Sequence, residues 1–176
     1  TATAAPTAAP SAGADAASVE ADCSTVPSSL APFDGTDAGV EFSVAFDVPN
    51  GAGYTLEAGE TAVERVATAY FRPDGTASNM DWDFYVDVTE SVDTYGDLGT
   101  MYPDAVEAFT LDYAGTTVPV RHQAITDDQD VWVMALPQDG AFRSVQVSSS
   151  VMPGQFGCHD VIREIAAGVA QSVRPR

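Results

Sequence analysis

Few side chains in this chain are equipped for chemistry. His122 and His159 are the only histidines, Cys23 and Cys158 the only cysteines, and all seven basic residues are arginines. Carboxylates are abundant: 26 Asp and Glu give a net charge of −19. A zinc site needs three or four converging ligands, and two separated histidines do not supply them. HExxH and G-x-S-x-G are absent, and no local signature marks a Ser–His–Asp triad. The histidines are therefore read as structural or surface residues, His122 on a strand and His159 at the start of a helix.

The missing lysine excludes several activities for this chain. A P-loop needs a Lys at the β- and γ-phosphates. Schiff-base and pyridoxal-phosphate chemistry need a Lys amine. Protein kinases and Ser–Lys hydrolases fail on the same ground.

The acids fall into two groups. Asp81, Asp83 and Asp87 lie on one strand; Asp127, Asp128 and Asp130 lie in one turn. Calcium takes carboxylate oxygens, so both groups are candidate cation sites. Neither has the EF-hand spacing, and charge clusters without ligand spacing are ordinarily solvated. No metal and no cofactor is expected. Paired carboxylates of the glycosidase kind are defined by their separation in space, and among 26 acids some pair will meet it by chance.

An even cysteine count without a CxxC spacing reads as a structural disulfide from an oxidising compartment. It would join the start of the folded domain to its last helix. The alternatives are two buried thiols, or a reactive Cys158 beside His159. Oxidation of Cys158 removes that nucleophile.

These residues need elements to position them. Residues 1–22, TATAAPTAAPSAGADAASVEAD, contain almost no large apolar side chain and read as a disordered spacer. Such spacers often follow a lipidated cysteine, so a lipid anchor upstream of residue 1 is an expectation. The chain begins at Thr1, which fits a mature product. Residues 23–176 read as one domain, and a 45% hydrophobic content is enough for a core.

Val40–Val48 alternates with period two and ends at the turn Pro49-Asn50-Gly51. Gly53–Glu57 reads as a short return strand and Val63–Arg72 as a further strand, followed by the turn Pro73-Asp74-Gly75. Trp82, Phe84, Val86 and Val88 alternate with Asp81, Asp83, Tyr85 and Asp87, giving one apolar and one acidic face. Ser91–Tyr102 reads as irregular. Its Tyr95, Met101 and Tyr102 are the candidate ligand contacts, because binding residues concentrate in loops on rigid scaffolds. Trp82 and Trp132 are assigned to the core.

Pro103–Phe109 reads as a short helix with Pro in its first turn. Thr116–Ile125, Val131–Leu136 and Phe142–Val151 read as a meander, with Pro119 marking an edge or bulge. Val161, Ile162, Ile165, Ala166, Val169 and Val173 fall at helical spacing, opened by His159 or Asp160 and stopped by Pro175. The expected fold class is α+β: an antiparallel β-sheet packed by a C-terminal amphipathic helix and a shorter helix.

The layout over residues 40–175 resembles the PsbP-like fold of many small actinobacterial lipoproteins. The resemblance is carried by FSVAFDVPNGAGYTL, by DGAFRSVQVSSS and by HDVIREIAAGVAQSVRP. Tyr54 stands where that family commonly has Trp. The extracellular sensor domains of actinobacterial kinases are a competing resemblance, although they typically carry more cysteines. The PsbP-like resemblance implies an accessory or binding protein rather than an enzyme.

The expected function is thus a non-catalytic, secreted or lipid-tethered cell-envelope domain that binds a protein or a small ligand. A secreted carboxylate-dependent hydrolase and an extracellular sensor domain are the alternatives. The acidic field repels nucleic acid and anionic membrane surfaces, so neither is an expected partner.

Overall fold

Period-two alternation dominates the folded region, and strands are what it forms. The computed structural model describes residues 23, 26, 29–34, 42–50, 53–57, 64–72, 84–93, 101–138, 141–151 and 156–176. The spacer 1–22, Asp81, Trp82, Asp83, Tyr95 and the turn at Pro73-Asp74-Gly75 lie outside the described residues.

The strands are β1 (Leu30–Phe33), β2 (Val44–Pro49), β3 (Gly53–Glu57), β4 (Glu64–Arg72), β5 (Phe84–Asp93), β6 (Val106–Tyr113), β7 (Thr116–Thr126), β8 (Gln129–Gln138) and β9 (Ala141–Val151). The helix α1 (His159–Gln171) and the two-residue strand β10 (Arg174–Pro175) follow. Seven strands form one antiparallel sheet in the order β3-β4-β5-β9-β8-β7-β6. Two meanders, β3–β5 and β6–β9, are joined where β5 pairs with β9. A second sheet, β1-β2-β10, closes the end of the core. The expected α+β class with an antiparallel sheet and a C-terminal helix is what the chain forms.

One face of the large sheet carries Val86, Val88, Val145, Val147, Trp132 and Met134, all buried. Helix α1 lays Ile162, Ala166, Val169 and Ala170 into this cluster. Each fully buried aliphatic side chain of this kind contributes about 1.5–3 kcal/mol. Phe42 and Phe46 sit edge-on at 5.1 Å, and Phe33 packs on both, sealing the small sheet to the core. Val161 is left exposed on the helix.

The helix ends before Pro175. The main-chain N–H of Ser172 donates to the Gly168 and Val169 carbonyls, and its hydroxyl accepts the Asp47 N–H of β2 at 2.6 Å. Gly168 lets β1 come close: a Cβ there would lie 3.1 Å from Leu30 Cδ1.

The short helix expected at Pro103–Phe109 does not form. Pro103 and Asp104 make a turn, with the Ala105 N–H on the Tyr102 carbonyl at 3.1 Å, and β6 begins at Val106. The local helical signal is weak over seven residues. Pairing with β7, from Val106↔His122 to Tyr113↔Thr116, supplies a full ladder and overrides it. Gly53–Glu57 is a strand, but it pairs with β4 rather than returning along β2. Pro119 lies where β7 carries only β6, since pairing with β8 starts at Arg121, so its missing N–H breaks no ladder.

The β6–β7 hairpin turns through Ala114 at φ 53 and Gly115 at φ 79. This is the two-residue geometry that favours Asn-Gly. Ala114→Asn is therefore expected to raise stability by roughly 0.5–1 kcal/mol, because alanine is strained in the left-handed region. A urea titration checks this, and an unchanged or lower midpoint would refute it.

Candidate functional site

The sequence places Asp130 at the start of β8, and the pleat turns its side chain to the helix face, opposite Ser149 of β9. Its carboxylate is fully buried. His122, on the same face of β7, places Nε2 at 2.6 Å from Oδ1. His159 and Arg163, four residues apart and so on one side of α1, place Nε2 and Nε at 2.7 and 2.9 Å from Oδ2. Arg163 Nη2 also lies 3.4 Å from His159 Nδ1. The His122 ring stacks on Trp132 with centroids 4.7 Å apart.

The two histidines thus converge, which their sequence positions alone did not require. Each directs a nitrogen at an Asp130 oxygen at hydrogen-bond distance. Among the described residues no group of three or more His, Cys, Asp or Glu is arranged to hold a metal ion. An Asp–His pair can orient a base for a nucleophile. The hydroxyl of Ser149, cross-strand from Asp130, is buried and has no hydrogen-bond partner among the described residues, and Cys158 is held in a disulfide. Through these contacts Asp130 clamps β7, β8 and α1 together.

Burial is the largest single influence on Asp130 and raises its pKa. The hydrogen bonds and charges of Arg163 and His122 together exceed it, so the carboxyl is held below its ordinary 3.8. A depressed folded-state pKa means that the unfolded chain binds the proton more readily. Stability from this group is present above the unfolded value and is lost as pH falls through the folded one. Wild-type protein is expected to lose more stability than Asp130→Asn on descending below about pH 4. Parallel urea titrations in acid would show it; identical slopes would contradict it.

The turn acids have separate destinations. Asp127 is exposed, Asp128 accepts from Thr126 Oγ1, and Asp130 is the clamp. The solvated reading fails for Asp130 and for Asp87, both buried. A third buried acid, Glu90, continues the apolar face of β5. It pairs with Arg143 at 2.5 Å and accepts the Ser43 N–H at 2.8 Å.

The opposite face of the sheet holds a pocket of about 330 Å³. Tyr85 and Asp87 of β5, Gln129 of β8, and Gln146 and Ser148 of β9 line it, with Tyr102 from the segment before β6. Ile125 and Val131 supply apolar wall. Tyr102 donates its hydroxyl to Gln146 Oε1 at 2.6 Å, and Gln146 Nε2 donates to Ser148 Oγ at 2.9 Å. Burial, more than the nearby Asp87 charge, raises the pKa of both Tyr85 and Tyr102.

Of the loop residues proposed as contacts, Tyr102 lines this pocket and Met101 is exposed beside it in the chain. Gln129, Gln146 and Ser148 were not anticipated. For Gln146 and Ser148 the signal was the polar half of the alternation in β9, Ser144-Gln146-Ser148-Ser150, in register with Ser91, Thr89, Asp87 and Tyr85.

Cys23 and Cys158 form a disulfide, with Cα atoms 5.6 Å apart, and Cys158 directly precedes α1. This is consistent with an extracytoplasmic location. No helix among the described residues is long and apolar enough to cross a membrane. No family model, curated protein or solved structure matches the chain.

Proposed function

We propose that this chain is a non-catalytic binding domain of the extracytoplasmic space, mounted on the cell envelope through residues 1–22, and that it holds a small polar ligand in the pocket beside Tyr102. The observation that carries this reading is a division of labour between the sheet faces. The histidines and both oxygens of Asp130 are engaged in a clamp under the helix, while the pocket, which Asp130 borders, opens on the other face and is lined by hydroxyl, amide and carboxylate side chains. A concave site with a few convergent polar groups is the usual form of a small-molecule site.

A two-carboxylate hydrolase has less support. Of the two acids among the described lining residues, Asp130 commits both oxygens to the clamp, so they do not supply the paired working carboxylates that such an enzyme needs.

The test is a thermal-shift screen of the oxidised chain against sugars, polyols, amines and carboxylates, repeated with Gln146→Leu. At least one class is expected to raise Tm in the wild type and not in the variant. No shift from any class, or shifts that survive the substitution, would refute the reading.

A further inference from the structure

We propose that the pocket takes a neutral, hydroxyl-rich guest about the size of a single sugar ring, held by Tyr102, Gln129, Gln146 and Ser148. This rests on the reading of the pocket as a binding site and adds the chemical class of its ligand.

The charges among the described lining residues are already engaged. No Lys, Arg or His is one of them. Both oxygens of Asp130 are taken by His122, His159 and Arg163. Asp87 and Tyr85 line the pocket too, but each has partners within the protein, so neither is assigned to the guest. A charged guest would give up hydration there without gaining a counter-charge, which is costly. An anion would also enter the field of a chain with net charge −19.

The hydrogen-bonding capacity that remains is mixed. Tyr102 donates to Gln146 Oε1, Gln146 Nε2 donates to Ser148 Oγ, and Gln129 Nε2 donates to Ser150 Oγ at 3.3 Å. These bonds orient the side chains and leave groups of both kinds unused. The protons left over are the second amide N–H of Gln129 and of Gln146, and the Ser148 hydroxyl. The lone pairs left over are on the Tyr102 phenol oxygen and on Oε1 of Gln129 and Gln146. A hydroxyl both donates and accepts, so several of them on one frame match this set. An ammonium would use only the lone pairs, and a carboxylate only the protons.

Size and rigidity agree. A volume of about 330 Å³ lies at the small end of the roughly 300–1,000 Å³ of ligand sites, which suits one ring rather than an oligomer. Ile125 and Val131 give the C–H face of such a ring an apolar wall. Gln129, Gln146 and Ser148 stand on the paired strands β8 and β9, with Gln129 directly opposite Ser150, so little ordering is left for binding to impose.

The test uses six-membered rings that differ in their polar groups: glucose and myo-inositol as polyols, with cyclohexanol, cyclohexylammonium and cyclohexanecarboxylate. Each is titrated into the oxidised full chain and followed by amide chemical shifts. At least one polyol is expected to give saturable shifts at residues 102, 129 and 146–148, with a midpoint about tenfold below that of cyclohexanol, which can replace only one of its hydrogen bonds. Added sodium chloride should leave that midpoint unchanged, because no charge pair is made. Gln146→Leu should bring the polyol midpoint up to that of cyclohexanol. If that variant does not fold, Ser148→Ala, which removes one hydroxyl and little volume, should raise the polyol midpoint severalfold. Cyclohexylammonium, cyclohexanecarboxylate or cyclohexanol binding in the pocket as tightly as the better polyol would overturn the ligand class and leave the binding function standing. Polyol shifts that are scattered, do not saturate, or are unmoved by the substitutions would overturn the class as well. Shifts from no guest would overturn both.

Discussion

Asp130→Ala is expected to destabilise the domain by about 3–5 kcal/mol, the usual cost of removing one partner from a buried ion cluster. The side chain is fully buried and receives hydrogen bonds from two histidines and an arginine. Deleting it leaves His159, itself largely buried, and the inner nitrogen of Arg163 facing an apolar gap at the start of α1. The gap cannot refill easily, because Trp132 and the His122 ring wall it on one side. Asp130→Asn should cost less, since an amide retains one oxygen acceptor. Urea unfolding monitored by tryptophan fluorescence measures both. A loss under about 1 kcal/mol for Asp130→Ala would mean that the cluster is not a clamp, and the histidines would then need another role.

Replacing both cysteines with serine is expected to cost about 4–5 kcal/mol. The bridge spans 135 residues, and the chain-entropy model assigns that order to so long a loop. Cys158 is also buried in the core beside α1, so serine would add a polar atom there. A domain of ordinary stability holds only about 5–15 kcal/mol in total. The serine variant should therefore lie close to unfolding at growth temperature, with α1 the first element to exchange its amides. Hydrogen exchange of wild type and variant measures this. Equal protection of residues 159–171 in both would contradict it.

Much of the fold was legible because burial in a sheet leaves a period-two trace. Val44–Pro49, Val131–Leu136 and Phe142–Val151 show it, and the helical spacing of Ile162, Ala166 and Val169 marks α1. Pro103–Phe109 misled because a proline followed by Asp-Ala-Val-Glu-Ala satisfies a local helix rule, while the deciding partner, Thr116–His122, is fixed only by pairing.

The site was less legible for a physical reason. Asp130 and Asp87 look alike in sequence to solvated acids, and their character depends on which face of a strand each occupies and what covers it. One lies beneath α1 and the other beside Tyr102. Neither His122 nor His159 carries a spacing that foretells their meeting, since strand register brings His122 to Asp130 and the docking of α1 brings His159. Tyr102 was accessible to sequence because it sits in a loop ahead of a strand. Its partner Gln146 sits in a strand and reads as a solvent-facing residue until Tyr102 is seen to hydrogen-bond it.

The most direct test is the redox state of the sulfur atoms in protein taken from its natural source. The material would be trapped with an alkylating agent under denaturing conditions, digested without reductant and weighed by mass spectrometry. The account predicts one cross-linked peptide joining the segments around Cys23 and Cys158, with no alkylated cysteine. Two separately alkylated peptides would contradict it, and with it the extracytoplasmic placement and the argument that Cys158 is no nucleophile.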